Sequence, residues 1–410
     1  MRLLMIAPGY LPYTFSENLC NGKLVYAMYQ KGWHVDVISK VDEGPTYSAE
    51  WTEPWLPLKE NNVVVRYDGG GKLERIYDTL RSSITMGIFP ESGIRWARRA
   101  YDQAVALCKK HHYDAVLTRS PSDIPHIVGL RLKEKLGIRW IANWNDPADP
   151  IWPDPYKHHF SVREQKRKER FTAMCLKGAD IDSFPSQSLL DYFTEHFPFL
   201  YQQRTVVIPH IALTENIFPK IKDVPISDKF RMCHSGNLSQ ERNPELTFKA
   251  MRELINEGYS RMQFSIMGYI NDYTNDLIEK YSLQNYVNCI GGFPYMEAIR
   301  KMQDFDCLVL LEAKLKKGIF FASKFTDYAQ VGKPILAISP KNGFAANTIA
   351  KFGGGISVNN EDYRSIKQGI KSLYDVWLAG LLSEQYSTES LYKQVSVSCV
   401  LQIYDDILKR

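Results

Sequence analysis

No run of this sequence approaches the roughly 18–20 uninterrupted apolar residues that a bilayer span requires. The apolar opening Leu3–Ala7 stops at Pro8-Gly9, too short for a secretory signal, and reads as a buried first strand. Cysteine is sparse and unpaired in pattern: the seven residues are scattered, with no C-x-x-C and no histidine at zinc-site spacing. That excludes a disulfide scaffold and points to reduced thiols in a cytoplasmic protein. Net charge is only +5, from 51 Lys+Arg against 46 Asp+Glu, too even to suggest duplex nucleic acid as a partner. Neither half opens with a strand followed by G-x-G-x-x-G, which argues against a dinucleotide dehydrogenase. Tandem repeats and low-complexity tracts are also lacking.

What the chain does have is length and alternation. Its 410 residues exceed what one hydrophobic core usually serves, so two domains are expected. Short apolar runs alternate with helical patterns in both halves, the mark of parallel sheets covered by helices. In the first half the expected strands are Leu3–Ala7, Val35–Ile38, Ala115–Thr118, Trp140–Asn143, Ile181–Phe184 and Thr205–Ile208. Residues 41–72, with Gly69-Gly70-Gly71, read as an irregular excursion, and residues 212–229, with Pro219 and Pro225, as a linker. Arg231–His234, Gln263–Met267, Val287–Ile290, Cys307–Leu311, Pro334–Ala337 and Gly355–Val358 are the expected strands of the second half, and a final helix is expected over Ser390–Lys409. The fold class is therefore α/β, with two doubly wound units: residues 1–212, residues 213–389, and a C-terminal helix over 390–410 packing back on the first unit. Ligands of such sheets bind beyond the carboxyl ends of the strands, which directs attention to the loops there.

The segment Ala322-Ser323-Lys324-Phe325-Thr326-Asp327 through Gly332-Lys333-Pro334 opens a helix just after the strand Cys307–Leu311 and its loop. One helical turn separates Lys324 from Asp327, so both lie on one face. A solvated ion pair is the plain reading; a lysine meeting a phosphate and an aspartate holding ribose hydroxyls is the functional one. Ser235-Gly236-Asn237-Leu238 to Arg242-Asn243, Gly291-Gly292-Phe293-Pro294-Tyr295, and Trp140 to Pro147 with Asp146 are the other segments placed at strand ends. Arg119-Ser120 and Ser186 occupy similar positions with weaker warrants, and Pro209-His210 reads as a turn at the domain junction.

Taken together, these segments resemble retaining glycosyltransferases of the GT-B fold, the large group called family 4 glycosyltransferases. Residues 322–336 are similar to the family's "P-S-K-L-x-E-Y-L-A-x-G-K-P-I-L", with Asp327 where the family has Glu. Ile319 stands where the first acid of its Glu-x(7)-Glu pair would be. Lys31-Gly32-Trp33-His34-Val35 resembles "x-G-H-x-V", and Asn21-Gly22 stands for the glycine pair of the opening loop.

The resemblance implies two Rossmann-like domains facing across a cleft, and sugar transfer from a nucleoside-diphosphate sugar to an acceptor hydroxyl with retention. It implies no metal and no cofactor. The donor diphosphate would be met by Arg242 and Lys324 and approached by the backbone at Gly22; Gly236 and Asn237, the latter where the family has its first Arg, would belong to the same donor site, Phe293 would flank the base, and Asp327 would hold the ribose. Asp146 could position or deprotonate the acceptor hydroxyl, or be an ordinary turn residue. A glycan or lipid-linked acceptor, in polysaccharide or glycolipid synthesis, is the expected partner. Six basic residues against two acidic ones between Lys157 and Arg170 concentrate most of the net charge, as a solvated helix face or as a contact to the inner face of a membrane. An epimerase-like nucleotide-sugar enzyme and a non-catalytic GT-B binding protein are the alternatives.

Overall fold

The computed structural model describes residues 1–40, 50–66, 70–220 and 227–409. The chain divides into two compact units, Met1–Ile211 with Val400–Arg410, and Ala212–Cys399. Parts of the expected excursion (41–49 and 67–69) and of the expected linker (221–226) lie outside the described residues.

The first unit alternates strands and helices in the order Arg2–Ile6 (β1), Ser16–Gln30 (α1), His34–Lys40 (β2), Asn62–Val65 (β3), Lys72–Met86 (α2), Ile94–Lys110 (α3), Ala115–Arg119 (β4) and Ile124–Leu136 (α4). Trp140–Asn143 (β5), Val162–Gly178 (α5), Ile181–Phe184 (β6), Gln187–His196 (α6) and Thr205–Val207 (β7) complete it. All seven strands are parallel, in the order β3-β2-β1-β4-β5-β6-β7. β1 and β4 are central and buried on both faces, which is why Leu3–Ile6 and Ala115–Leu117 within them read as apolar runs. Chain direction through the sheet reverses between them, opening a crevice beyond their carboxyl ends.

In the second unit, Phe230–Ser235 (β8), Glu245–Asn256 (α7), Met262–Met267 (β9), Asp272–Lys280 (α8), Val287–Cys289 (β10) and Tyr295–Met302 (α9) precede Cys307–Leu311 (β11), Lys324–Val331 (α10), Ile335–Ser339 (β12) and Phe344–Phe352 (α11). Gly355–Asn359 (β13) and Tyr363–Leu378 (α12) follow, then Leu382–Gln385 (α13), Glu389–Val395 (α14) and Val397–Leu408 (α15). The order β10-β9-β8-β11-β12-β13, again parallel throughout, puts the reversal between β8 and β11. Phe230, Met232, Phe248, Phe264, Val309 and Leu373 form the centre of its core.

Several elements depart from the sequence reading. β3, α2, α6 and α11 had no assigned counterpart. Helix α1 already begins at Ser16, so Gly22 is inside a helix rather than in a loop. Leu11 fills the space beside it: a Cβ at Gly22 would stand 2.6 Å from Leu11 Cδ1, so the missing side chain serves packing. The expected single helix over Ser390–Lys409 is two, α14 and α15, with Ser396 extended between them. From Val400 onward α15 belongs to the first unit, where Asp405 pairs with Lys31 and the Leu408 carbonyl accepts from Arg139 at 3.2 Å. Ser186 is the N-cap of α6, accepting from the Leu189 amide at 3.2 Å.

Packing between α4 and the sheet is tight at Gly129, where a Cβ would stand 2.2 Å from Trp140 Nε1. That indole donates to Thr118 Oγ1 at 2.8 Å and cannot retreat without losing the bond. Gly129→Ala is expected to destabilise the first unit by about 1–3 kcal/mol, read as an earlier urea transition in tryptophan fluorescence; an unshifted transition would refute this account of the contact.

Candidate functional site

Each unit gathers polar side chains at its own sheet reversal. In the second, β8 ends in His234-Ser235 and the chain turns at Gly236 with φ +126°, a left-handed conformation suited to glycine. The turn is crowded from two sides. A Cβ at Gly236 would stand 2.5 Å from Lys324 Nζ, and one at Gly268 would stand 2.5 Å from the Gly236 carbonyl oxygen. Lys324, the first residue of α10, therefore lays its ammonium on the backbone that follows β8.

Around it stand His234, Arg242, Glu312 and Asp327. His234 is buried, and its Nδ1 lies 2.9 Å from the Val309 carbonyl, which can only accept. Nδ1 thus carries the proton, and Nε2, which has no hydrogen-bond partner, is left as an acceptor facing Gly236. Burial and the charges of Lys324 and Arg242 hold His234 well below the usual imidazole range. Lys324 is pushed down to about 7 by burial and by Arg242, against the opposing pull of Asp327 and Glu312. Glu312, the residue after β11, is pushed up to about 7 by burial, with Arg242 and Lys324 working the other way. Near neutrality this crevice is balanced between charged and uncharged forms, and an arriving anion would favour the charged lysine.

Asp327 is buried, and its Oδ1 accepts from the Tyr295 hydroxyl at 2.7 Å. This bond ties the Gly291–Pro294 turn, and Phe293 with it, to the first turn of α10. The Phe293 ring is half-buried, with Lys301 Nζ 4.5 Å from its centroid. Asn237 is exposed; its Oδ1 accepts from the Tyr269 amide at 2.9 Å, pinning the loop after β8 to the loop after β9. Arg242 is exposed, and its amide donates to Ser239 Oγ at 3.3 Å. Gly236, Asn237, Arg242, Lys324 and Asp327 thus meet in one place, with Phe293 beside them. Ile319, where an acid was missing from the sequence pattern, is a buried core residue.

Asp146 and Gly22 belong to the first unit. There the crevice between β1 and β4 is filled by a network that sequence reading did not assemble. Glu17, in the first turn of α1, accepts from Asn145 Nδ2 at 2.7 Å and lies 3.7 Å from Arg119 Nη2. Arg119 Nε donates to Asn21 Oδ1 at 2.5 Å, and Ser120 Oγ accepts from the Asn145 amide at 2.8 Å. Burial pushes Glu17 up to about 8; Arg119 opposes this, the neighbouring Asp146 carboxylate adds to it, and hydrogen bonds from Asn145 and Asn21 oppose it. Asp146 is half-buried and close enough for its charge to be felt there. His210 is buried at the end of the unit.

Of the missed residues, Glu312 had a usable signal: a carboxylate directly after a strand that is apolar throughout. Glu17 and Asn145 had none, because 128 positions separate the partners of their hydrogen bond. In the basic segment, Arg167 and Lys168 are committed to Glu91 at 2.7 and 3.1 Å, and Lys168 also to Asp149 at 2.8 Å. Lys157, Arg163, Lys166 and Arg170 remain exposed.

Two parallel doubly wound units with strand-end crevices define a GT-B protein, and comparison with solved structures bears out that fold. Sucrose-phosphate synthase from Thermosynechococcus elongatus superposes with a TM-score of 0.68 at 14% identity, over 100% of this chain and 99% of that one. The Anabaena protein Alr3699/HepE, solved in complex with UDP and glucose, gives 0.67 at 15% identity over 100% of both chains. A putative UDP-N-acetylglucosamine 2-epimerase from Listeria monocytogenes gives 0.59 at 12% identity, over 99% of this chain and 96% of that one. The model of the family described as glycosyl transferases group 1 matches residues 217–386, within the second unit. No curated protein matches the chain by sequence.

The raised Glu17 carboxyl makes a pH prediction. Its folded value of about 8 lies above the ordinary 4.5, so the folded state holds an extra proton between the two, and this group's contribution to stability falls as pH rises through that window. Glu17→Gln mimics the protonated form. The melting temperature of the variant relative to the parent should rise from about pH 4.5 to about pH 8 and then level; a difference independent of pH would refute the assignment.

Proposed function

We propose that the protein is a retaining glycosyltransferase that moves a sugar from a nucleoside-diphosphate sugar to an acceptor hydroxyl, without a metal. The observation that carries this reading is the Lys324 ammonium lying on the Gly236 backbone at the β8–β11 reversal, with Arg242 beside it, inside the segment that matches the family. In the reaction the bond from the anomeric carbon to the donor phosphate oxygen breaks and a glycosidic bond to the acceptor oxygen forms. Negative charge grows on the departing diphosphate, and Lys324 and Arg242 are the cations that stabilise it. Asp327, held by Tyr295, takes the ribose hydroxyls; the turn at Phe293 flanks the base. The acceptor belongs to the first unit, where Asp146 is the candidate to orient or deprotonate its hydroxyl. The HepE structure with UDP and glucose supports a uridine donor as the first to try. A glycan or lipid-linked acceptor in polysaccharide or glycolipid synthesis is the class we favour, and the exposed basic residues of α5 support one presented at a membrane surface.

A thermal-shift screen against UDP, GDP, ADP and their sugars tests the donor site. One nucleotide should stabilise the protein, and Lys324→Ala or Arg242→Ala should weaken that nucleotide at least 10-fold while leaving the unliganded melting temperature within a few degrees. Asp327→Ala should mainly raise the apparent KM for donor. Because a bound diphosphate favours the charged lysine and the protonated Glu312, affinity should decline above about pH 7 in the parent, and the decline should be shallower in Lys324→Ala. No shift with any nucleotide would overturn the reading. The putative epimerase shares this fold, so donor should also be incubated alone: conversion without acceptor would identify an epimerase-like enzyme instead.

A further inference from the structure

Helix α2 is mounted inside out. Leu73, Ile76, Tyr77, Leu80 and Ile84 fall on one stripe at helical spacing, the pattern that ordinarily faces a core, yet all are exposed, Leu73 by 82% and Ile84 by 80%. Phe89, just past the helix, continues the stripe at 72% exposure. The opposite, polar face is the one packed against the protein. Asp78 pairs there with Arg95 at 2.7 Å, Arg98 at 3.3 Å and Arg99 at 3.2 Å, and Ser82 accepts from Arg98 at 3.1 Å. Burial pushes the Asp78 carboxyl up, but the bond from Arg95 and the charges of the three arginines outweigh it and hold the group below the usual carboxylate range. The outward orientation is therefore fixed by an ion cluster and is not slack.

The charge around the stripe indicates what covers it. Lys72 and Arg81, both exposed, flank it on its two edges, while Glu74 is turned to the helix start, where it accepts from the Gly71 amide at 2.9 Å. At the Phe89 end, Glu91 is gripped by Arg167 and Lys168, which brings the exposed Arg163, Lys166 and Arg170 of α5 alongside. An apolar stripe with basic margins matches the boundary between acyl chains and anionic headgroups. A second copy of the chain fits less well. Its basic margins would face these, and one helix of 15 residues offers less than the roughly 800 Å² per partner of a standard stable interface.

We propose that α2 lies in the plane of an anionic membrane surface, its apolar stripe and Phe89 entering the acyl boundary and the basic residues of α2 and α5 meeting lipid phosphates. This does not depend on the reaction proposed above. Among the described residues no helix is long and apolar enough to cross a membrane, so the contact is one of attachment to a single face.

The test is co-sedimentation of the full chain with vesicles of phosphatidylglycerol and phosphatidylcholine, or of phosphatidylcholine alone. Binding is expected to the anionic vesicles only and to weaken with salt. Leu73→Glu with Ile84→Glu should reduce it at least 10-fold, and Arg163→Glu with Lys166→Glu should reduce it by a smaller factor. All these positions are exposed, so melting temperature should be unchanged. Failure of the parent to bind anionic vesicles, or binding undiminished by the Leu73/Ile84 pair, would overturn the proposal. So would a parent dimer in light scattering that the same pair dissociates while vesicles are left unbound, which would assign the stripe to a second copy.

Discussion

Parallel pairing between strands distant in sequence is the constraint on which both candidate sites depend. β8 pairs with β11 although more than seventy residues separate Cys233 from Leu308, and β1 pairs with β4 across the still longer gap from Leu3 to Ala115. A parallel pair cannot be closed by a hairpin, so each connection crosses a sheet face, and the crossovers diverge where the strand order reverses. The reversal leaves strand ends uncovered, and the loops that follow must turn sharply there. Gly236 and the nearby approach of Lys324 are the local result in the second unit; Glu17, Asn21 and Arg119 are the result in the first.

Those crevices are electrostatically unsettled. Lys324 and Glu312 are each brought near neutrality in pKa, and Glu17 lies above it, because burial disfavours their charged forms more than their neighbours restore them. Structural ion pairs elsewhere behave in the opposite way. Asp78 with its three arginines and Lys168 with Glu91 and Asp149 are held in their charged forms by partners already present. Lys324, whose charged form the protein itself leaves disfavoured, is the group to which an anionic ligand would contribute most.

The same distinction explains the odd placement of α2. Its apolar periodicity alone would direct the stripe inward, yet Asp78 and Ser82 win because α3 presents Arg95, Arg98 and Arg99 on the facing surface. Burying Asp78 without those arginines would leave a charge without a partner, so the ion cluster and the helix orientation stand or fall together.

Alternation of apolar runs and helical patterns determined the α/β class, most strands and the two-unit organisation, because burial on both faces of a parallel strand leaves a local signature. The motif at residues 322–336 likewise carried Lys324 and Asp327 to one helix face by spacing alone. α2 had the periodicity of a helix, but periodicity says nothing about which way a stripe faces. Gly22 looked like a loop glycine, and only the packing of Leu11 showed why a side chain is missing there. Tertiary structure alone decided that Glu17 meets Asn145, that Tyr295 holds Asp327, and that Arg167 and Lys168 are spent on Glu91. The physical reason is range: helix and strand formation answer to neighbours a few residues away, whereas burial, charge partnership and pKa answer to whichever residues the sheet order brings together.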